Sequence, residues 1–303
     1  MTKETGHEIG FVGLGRMGLN MATHLVEKGY RVVGFDPSAD AQKQATDAGV
    51  QIVPDYAAMI GDLVAPRVIW LMIPSPLVNR ALEEIVPLLD KGDTIIDGGN
   101  SFYKDSLKRH ALLKDKHIHF LDCGTSGGMD GARHGASIMV GGLPEVFAIH
   151  EHIFKALAAS DGYALVGGDG AGHFVKMIHN GIEYGMMGAI AEGVAVLHEH
   201  EAQFGIDIKN VLKPYEHESI ITSKLVTWLR TAYDEGQIDM IRGVVPRGET
   251  EEEMEHITTI GDVQVLRAAL SQRTMTREKE SYIGKLIAAM RNQFGGHKVI
   301  DKS

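Results

Sequence analysis

The sequence predicts an α/β domain over residues 1–168 followed by an all-α domain over residues 169–303. Three observations carry this. Over the first half, short apolar runs alternate with helical patterns, as in βαβ units on a parallel sheet. After Gly172 strand-like runs nearly vanish and long amphipathic patterns take over. Between the two lies Gly167-Gly168-Asp169-Gly170, a flexible boundary near residues 165–170. At 303 residues the chain is long enough for two separate cores.

Residues 9–14 read as the first strand and residues 17–28 as a helix ended by Gly29. Residues 31–36 form a second strand, followed by a helix over 39–48 that stops at Gly49. Further strands fit 68–73, 94–97, 119–123, 137–141 and 164–166. In the second half, helices fit 172–200, 209–233, 251–260, 263–272 and 277–294. Between the first strand and first helix, Gly13-Leu14-Gly15-Arg16-Met17-Gly18 matches G-x-G-x-x-G. The first glycine permits a tight turn, the second lets backbone approach a pyrophosphate, and the third lets helix pack on strand. The α/β domain is thus expected to be a Rossmann-type dinucleotide-binding domain. Asp36 ends the second strand, where a carboxylate binds a ribose 2′-OH and repels a 2′-phosphate. No arginine follows in Pro37-Ser38-Ala39, so NAD is expected over NADP. Capping of the Pro37 turn is the structural alternative for Asp36. Met72, Ile73 and Pro74 at a later strand end, with Asn100, complete the expected cofactor-binding set.

Bulk properties exclude several functions. The formal net charge of −10 disfavours nucleic acid and anionic membrane as partners. No apolar run reaches the length of a membrane span, and residues 1–4 begin no signal-type segment, so a soluble cytoplasmic protein is expected. The single cysteine, Cys123, permits no internal disulfide, fits a reducing compartment, and reads as a small buried residue. No metal site is expected.

Two glycine-rich segments follow later strands, where ligands of open parallel sheets collect. They are Asp97-Gly98-Gly99-Asn100-Ser101 and Cys123-Gly124-Thr125-Ser126-Gly127-Gly128. In the second, Ser126, Gly127 and Gly128 can form an anion-binding nest, or simply a turn with positive φ. The most informative run is 172–184. At about 100° per residue, Lys176, His179, Asn180, Glu183 and Tyr184 fall on one helical face. An amine, a carboxylate, an imidazole, an amide and a phenol together can move protons and hold a polyhydroxylated substrate. An i,i+7 ion pair between Lys176 and Glu183 is the structural alternative, at a spacing that helices do not favour.

These segments resemble 6-phosphogluconate dehydrogenase (decarboxylating), within the β-hydroxyacid dehydrogenase group. The resemblance rests on 13–18, on Ile95-Ile96-Asp97-Gly98-Gly99-Asn100-Ser101, on 126–135, on 172–184, and on Arg291-Asn292-Gln293-Phe294-Gly295-Gly296-His297. In length the chain is similar to the short, often NAD-linked form. The resemblance implies oxidative decarboxylation of 6-phospho-D-gluconate to ribulose 5-phosphate and CO2, as in the pentose phosphate pathway. It implies Lys176 as general base on the C3 hydroxyl and Glu183 as the acid that protonates C1 of the enediol. Ser126, Gly127 and Gly128 would hold the C1 carboxylate, and His179 and Asn180 the hydroxyls near C3. Asn100 would sit between nicotinamide and substrate. Tyr184, Arg273, Arg291 and His297 would surround the phosphate. In the family's long form the last two come from a neighbouring subunit, so a homodimer or homotetramer with shared active sites is implied.

One segment departs from the family. In place of a Gly-Lys-Trp-Thr or Gly-Arg-Trp-Thr element stands Gly248-Glu249-Thr250-Glu251-Glu252-Glu253, followed by Ile260-Gly261-Asp262-Val263-Gln264. A lost cation and added carboxylates are expected to weaken phosphate binding, with Arg247 compensating. The departure motivates a second function, a non-decarboxylating β-hydroxyacid dehydrogenase acting on another sugar acid. A NAD-binding regulatory module without turnover is a third, disfavoured because base, acid and substrate ligands are all present.

Overall fold

The computed structural model describes residues 7–301; the polar start over residues 1–4 lies outside them. Two compact units divide between Lys176 and Met177. In chain order the first unit runs β1 (Glu8–Val12), α1 (Arg16–Glu27), β2 (Arg31–Phe35), α2 (Ala39–Asp47), β3 (Gln51–Ile52), α3 (Tyr56–Asp62), β4 (Val68–Leu71) and α4 (Ser75–Ile85). It continues β5 (Thr94–Asp97), α5 (Tyr103–Lys114), β6 (His119–Ser126), α6 (Gly128–His134), β7 (Ala136–Gly141), α7 (Pro144–Leu157) and β8 (Ala158–Gly167). Helix α8 (Ala171–Glu199) starts in this unit and carries the division.

The eight strands form one sheet in the order β3-β2-β1-β4-β5-β6-β7-β8. All pairs are parallel except β6 with β7, which run antiparallel with Asp122 opposite Gly141. Strand order reverses between β1 and β4, and the loops at their carboxyl ends are where such sheets bind ligands. Alternate strand residues feed two apolar layers. Ile9, Phe11, Trp70 and Ile96 pack with Met21, Leu25, Ile153 and Phe154 on one face. Val12, Ile69, Leu71 and Ile95 pack with Met59, Leu82, Ile85 and Leu113 on the other.

The alternation was legible but not complete. The structure adds β3 and helices α3 to α7, which periodicity left unassigned. Strand β6 runs on to Ser126, so the run from Cys123 is strand before it is loop, and β8 is longer than residues 164–166. Cys123 is fully buried, which pushes its thiol pKa up and leaves no nucleophile there.

The second unit is helical: α9 (Glu201–Phe204), α10 (Ile208–Tyr215), α11 (Lys224–Asp234), α12 (Gln237–Met240), α13 (Glu249–Ile260), α14 (Gln264–Glu278) and α15 (Tyr282–Gly295). Two expected helices are corrected. The helix over 209–233 is two, because Pro214 ends α10 and Ser223 caps α11 by accepting from Val226 N. The helix over 277–294 begins later, since Arg277 belongs to the last turn of α14 and Ser281 caps α15 through Gly284 N at 3.0 Å. Leu225, Val226 and Leu229 of α11 join Leu286, Ile287 and Met290 of α15 in this unit's core.

A buried histidine makes the first unit acid-sensitive. His150 Nε2 lies 2.8 Å from Thr94 Oγ1. Burial, helped by the charges of His152 and His119, lowers its pKa from 6.5 to about 4. The folded ring stays neutral where the unfolded ring takes a proton, so its stability contribution is full above pH 6.5 and is lost as pH falls towards 4. The melting temperature is expected to fall across that window, and His150→Gln to flatten the fall. An equal slope in the variant would contradict this.

Candidate functional site

The glycine fingerprint has the geometry its spacing predicts. Gly13 has φ +92°, and a Cβ there would lie 2.4 Å from Met72 O. A Cβ on Gly18 would lie 1.9 Å from Gly13 O, which fixes glycine where α1 meets the loop. A Cβ on Gly15 would meet nothing within 4 Å, so the turn faces open space. Helix α1 starts at Arg16 with no side-chain cap and no acidic residue in its first turn, leaving its amino end to an anion. Asp36 Oδ2 accepts from Leu14 N at 2.7 Å and Oδ1 from Ser38 N at 2.8 Å. The carboxylate therefore caps the Pro37 turn and also ties the glycine loop to the end of β2. It can accept further hydrogen bonds beside these. These residues fit a dinucleotide.

Two neighbouring loops are drawn to the same strand ends. Residues 72–74 join β4 to α4, with Met72 and Ile73 against Gly13 and Pro74 capping α4. A Cβ on Gly99 would lie 2.7 Å from Ile73 O, and one on Gly98 would strike the Trp70 indole at 2.4 Å. The loop carrying Asn100 is anchored by Asp97, which accepts from Gly99 N at 3.2 Å, Ser101 Oγ at 2.8 Å and Arg109 Nη1 at 2.9 Å. Asp97 and Arg109 are both buried, and Arg109 also donates to Asn79 Oδ1 at 2.8 Å.

The third loop leaves β6. Gly127 and Gly128 have φ +120° and +64°, a pair that only glycines hold without strain, and Gly127 starts α6 without a side-chain cap. Ser126, Gly127 and Gly128 are half-buried. Beside them the first turn of α8 rests on the sheet backbone. A Cβ on Gly172 would lie 2.3 Å from Asp122 O, and one on Gly124 would lie 2.4 Å from Lys176 Cβ. Lys176 is half-buried there.

Asp122, fully buried on β6, caps this helix from outside it. Its Oδ1 accepts from Gly170 N and its Oδ2 from His173 N, both at 2.8 Å. Burial works to raise the pKa of Asp122, but the hydrogen bond from His110, the charge of His173 and the His173 backbone N–H outweigh it and lower the pKa. Sequence reasoning missed both Asp122 and the imidazole of His173. Their only signal was a buried-strand acid and a histidine inside the most informative run.

In the second unit the face of α8 carries His179, Asn180, Glu183 and Tyr184. His179 Nδ1 lies 3.8 Å from Glu183 Oε2. Asn180 is buried and donates through Nδ2 to Glu253 Oε2 at 2.7 Å. Buried Tyr184 is the floor of a cation cluster, with Arg273 Cζ 4.6 Å and Arg291 Cζ 6.0 Å from its ring centroid. Thr250 Oγ1 donates to Tyr184 Oη and accepts from Arg273 Nη1, each at 3.1 Å. Both arginines donate to Pro246 O, at 3.1 and 3.3 Å. The structure thus brings Tyr184, Arg273 and Arg291 together and adds Thr250. His297 lies past α15, its ring edge-on to Phe294 at 5.6 Å.

Glu251 does not stand in this cluster as a bare repulsive charge. It is fully buried, paired with both Arg277 amino groups at 2.9 and 2.7 Å and 3.2 Å from Arg273 Nε. Burial tends to raise its pKa, and Arg277, Arg273 and Arg247 pull it below the usual carboxylate value. Positive charge still exceeds negative. Burial, with Arg291 and Arg277 nearby, lowers the pKa of Arg273 against the pull of Tyr184 and Glu251. The Nε atoms of Arg273 and Arg291 are buried without a hydrogen-bond partner. Such a cluster can hold an anion. Among the described residues no His, Cys, Asp and Glu group is placed to hold a metal ion, and no helix is long and apolar enough to cross a membrane.

Residues 8–168 match the family model of the NAD binding domain of 6-phosphogluconate dehydrogenase. Residues 172–202 match that of the 6-phosphogluconate dehydrogenase C-terminal domain. The chain is 40% identical to YqeC of Bacillus subtilis, assigned provisionally to 6-phosphogluconate dehydrogenase, over 96% of this chain and 98% of that one. It is 34% identical to a Haloferax volcanii protein named an NAD(+)-dependent, decarboxylating 6-phosphogluconate dehydrogenase, over 97% and 99% of the two. Among solved structures it is similar to Plasmodium falciparum 6-phosphogluconate dehydrogenase, described with its cofactor NADP+ and its substrate 6-phosphogluconate. That match has a TM-score of 0.81 and 29% identity, covering 90% of this chain and 62% of the other.

The cation cluster yields a binding prediction. Inorganic phosphate in the millimolar range is expected to raise the melting temperature of the wild type, and Arg273→Met to abolish most of that rise. An equal rise in both proteins would show that phosphate binds elsewhere.

Proposed function

This chain belongs to the 6-phosphogluconate dehydrogenase family, and from that membership we propose that it oxidatively decarboxylates 6-phospho-D-gluconate to D-ribulose 5-phosphate and CO2, reducing NAD. The observation that carries the substrate is the Tyr184–Thr250–Arg273–Arg291 cluster, a buried cationic site in a chain of net charge −10. Bound at the fingerprint loop, the dinucleotide supplies the hydride acceptor.

Lys176 takes the proton of the C3 hydroxyl as C3 is oxidised. The resulting β-keto acid loses CO2, with the lysine proton returned to the carbonyl oxygen. Glu183 then protonates C1 of the enediol, and its neighbour His179 contacts the hydroxyls near C3 together with Asn180. The half-buried Lys176, its Cβ set against Gly124, holds its amine on a fixed helical turn, as a general base requires. Ser126, Gly127 and Gly128 receive the C1 carboxylate at a positive-φ turn, and Asn100 stands between nicotinamide and substrate. Thr250 joins Tyr184, Arg273, Arg291 and His297 around the phosphate. A homo-oligomer belongs to this reading through the family, with Arg291 supplied beside Tyr184 by the same chain.

NAD is favoured over NADP because Asp36 puts a carboxylate beside the fingerprint loop with no cation following in Pro37-Ser38-Ala39. The Glu253 carboxylate on Asn180 favours a second reading, a sugar acid whose hydroxyl pattern differs from that of 6-phosphogluconate.

Steady-state rates with 6-phosphogluconate and each dinucleotide test this. Turnover with NAD well above that with NADP is expected. No reduction of either would remove the assignment, and preference for NADP would remove the role given to Asp36. Lys176→Met is expected to lower kcat by at least ~10³-fold while NAD still binds, the loss typical of a general base with additional positioning. Activity within about tenfold of wild type would exclude Lys176 as the base.

A further inference from the structure

We propose that His173 is a positioning residue, clamping the loop that carries Asn100 to the helical turn that carries Lys176. It rests on the function proposed above for the identity of the reaction, but the clamp itself is drawn from geometry within the first unit. His173 is buried, 2% exposed, and its polar atoms are directed at three separate elements. Its backbone N donates to Asp122 on β6 at 2.8 Å. Its Nδ1 lies 2.7 Å from Ser106 Oγ of α5. Its Nε2 lies 3.1 Å from Gly99 O, the carbonyl immediately before Asn100. A carbonyl only accepts, so Nε2 carries the proton and, in the neutral ring, Ser106 Oγ donates to Nδ1.

A buried histidine is more often a satisfied part of a core. Here the partners decide otherwise. The loop over 98–101 is held from below by contacts that exclude a side chain, with Gly98 on the Trp70 indole and Gly99 on Ile73 O. Asp97 holds its amide and hydroxyl ends. Through the Gly99 carbonyl, His173 ties the first turn of α8 to that loop. Lys176 follows His173 by three residues, one turn on, where its own Cβ is seated against Gly124. The helix start is fixed in turn by Asp122, which His110 Nε2 approaches at 3.2 Å while His110 Nδ1 lies 3.1 Å from Asp169 Oδ1. The imidazole therefore helps to set the spacing between the residue proposed for the nicotinamide and the residue proposed for the C3 hydroxyl. Misplacement by about 1 Å in such a pair costs on the order of 100-fold in rate.

Three variants separate positioning from packing. His173→Gln can still donate from the Nε2 position to Gly99 O, His173→Asn reaches only towards Ser106, and His173→Ala reaches neither. The expected result is a kcat for His173→Gln within about fivefold of wild type and losses of ~100-fold for the Asn and Ala variants, with the dissociation constant for NAD nearly unchanged in all three. Amide hydrogen exchange over residues 98–101 needs no substrate, and is expected to rise in the Asn and Ala variants but not in the Gln variant. If wild type does not turn over 6-phosphogluconate, the functional assignment fails and exchange alone judges the clamp. The proposal is overturned if His173→Ala keeps wild-type kcat, if His173→Gln loses as much as His173→Ala, or if exchange over 98–101 is the same in all four proteins.

Discussion

The helix that carries Lys176 is held at its first turn, and the arrangement of the first unit depends on how closely that turn approaches the sheet. Gly172 sits on the backbone of β6 and β7, Gly124 admits the Lys176 Cβ, and Gly141 lies under the helix start with a hypothetical Cβ 2.5 Å from Gly172 N. Such proximity would leave helix-terminal N–H groups buried and unmet. Asp122 meets two of them, and hydrogen bonds to a charged acceptor are worth about 1.5–3 kcal/mol each. The antiparallel pairing of β6 with β7 belongs to the same arrangement, since it sets Asp122 opposite Gly141 and leaves room for the turn. Lys176 is thereby fixed to the strand whose end carries Ser126, Gly127 and Gly128.

The second unit solves a different problem, concentrating positive charge within an acidic protein. Arg273 is fully buried and Arg291 nearly so, at a desolvation cost that needs compensation. Tyr184 offers a ring face, Pro246 a carbonyl and Glu251 a carboxylate 3.2 Å from Arg273 Nε, while Arg291 Nε has no hydrogen-bond partner. Glu251, whose place in the sequence suggests repulsion of a phosphate, instead positions Arg277 and lies beside Arg273. Its charge offsets Arg277 and part of Arg273, and with Arg291 also present the cluster stays net cationic. Glu253 is the carboxylate that does reach an expected substrate ligand, through Asn180.

Features written in local chemistry were legible in the sequence. Gly13 and Gly18 each have a distinct steric reason to be glycine, while Gly15 faces open space, and their spacing located the loop, the turn and the helix start. Tyr184, Arg273 and Arg291 were grouped by resemblance, and the fold brings them to one place. Features that depend on distant partners were not legible. Asp122 and Gly170 are 48 residues apart, and Thr94 and His150 are 56 apart. Thr250 was hidden among glutamates, and its value comes only from Tyr184 and Arg273 across the helical unit. The single helix expected over 209–233 failed for a local reason, because amphipathic periodicity outweighed Pro214 and the Ser223 cap.

In the proposed reaction oxidation and decarboxylation are coupled, with Lys176 assigned the first step and Glu183 the proton transfer after loss of CO2. The most direct measurement is the stoichiometry of products from 6-phosphogluconate labelled at C1, counting NADH, released CO2 and pentulose phosphate in one reaction. Coupled oxidation and decarboxylation give equal amounts of all three. NADH formed without CO2, leaving the label in an oxidised six-carbon acid, would contradict it.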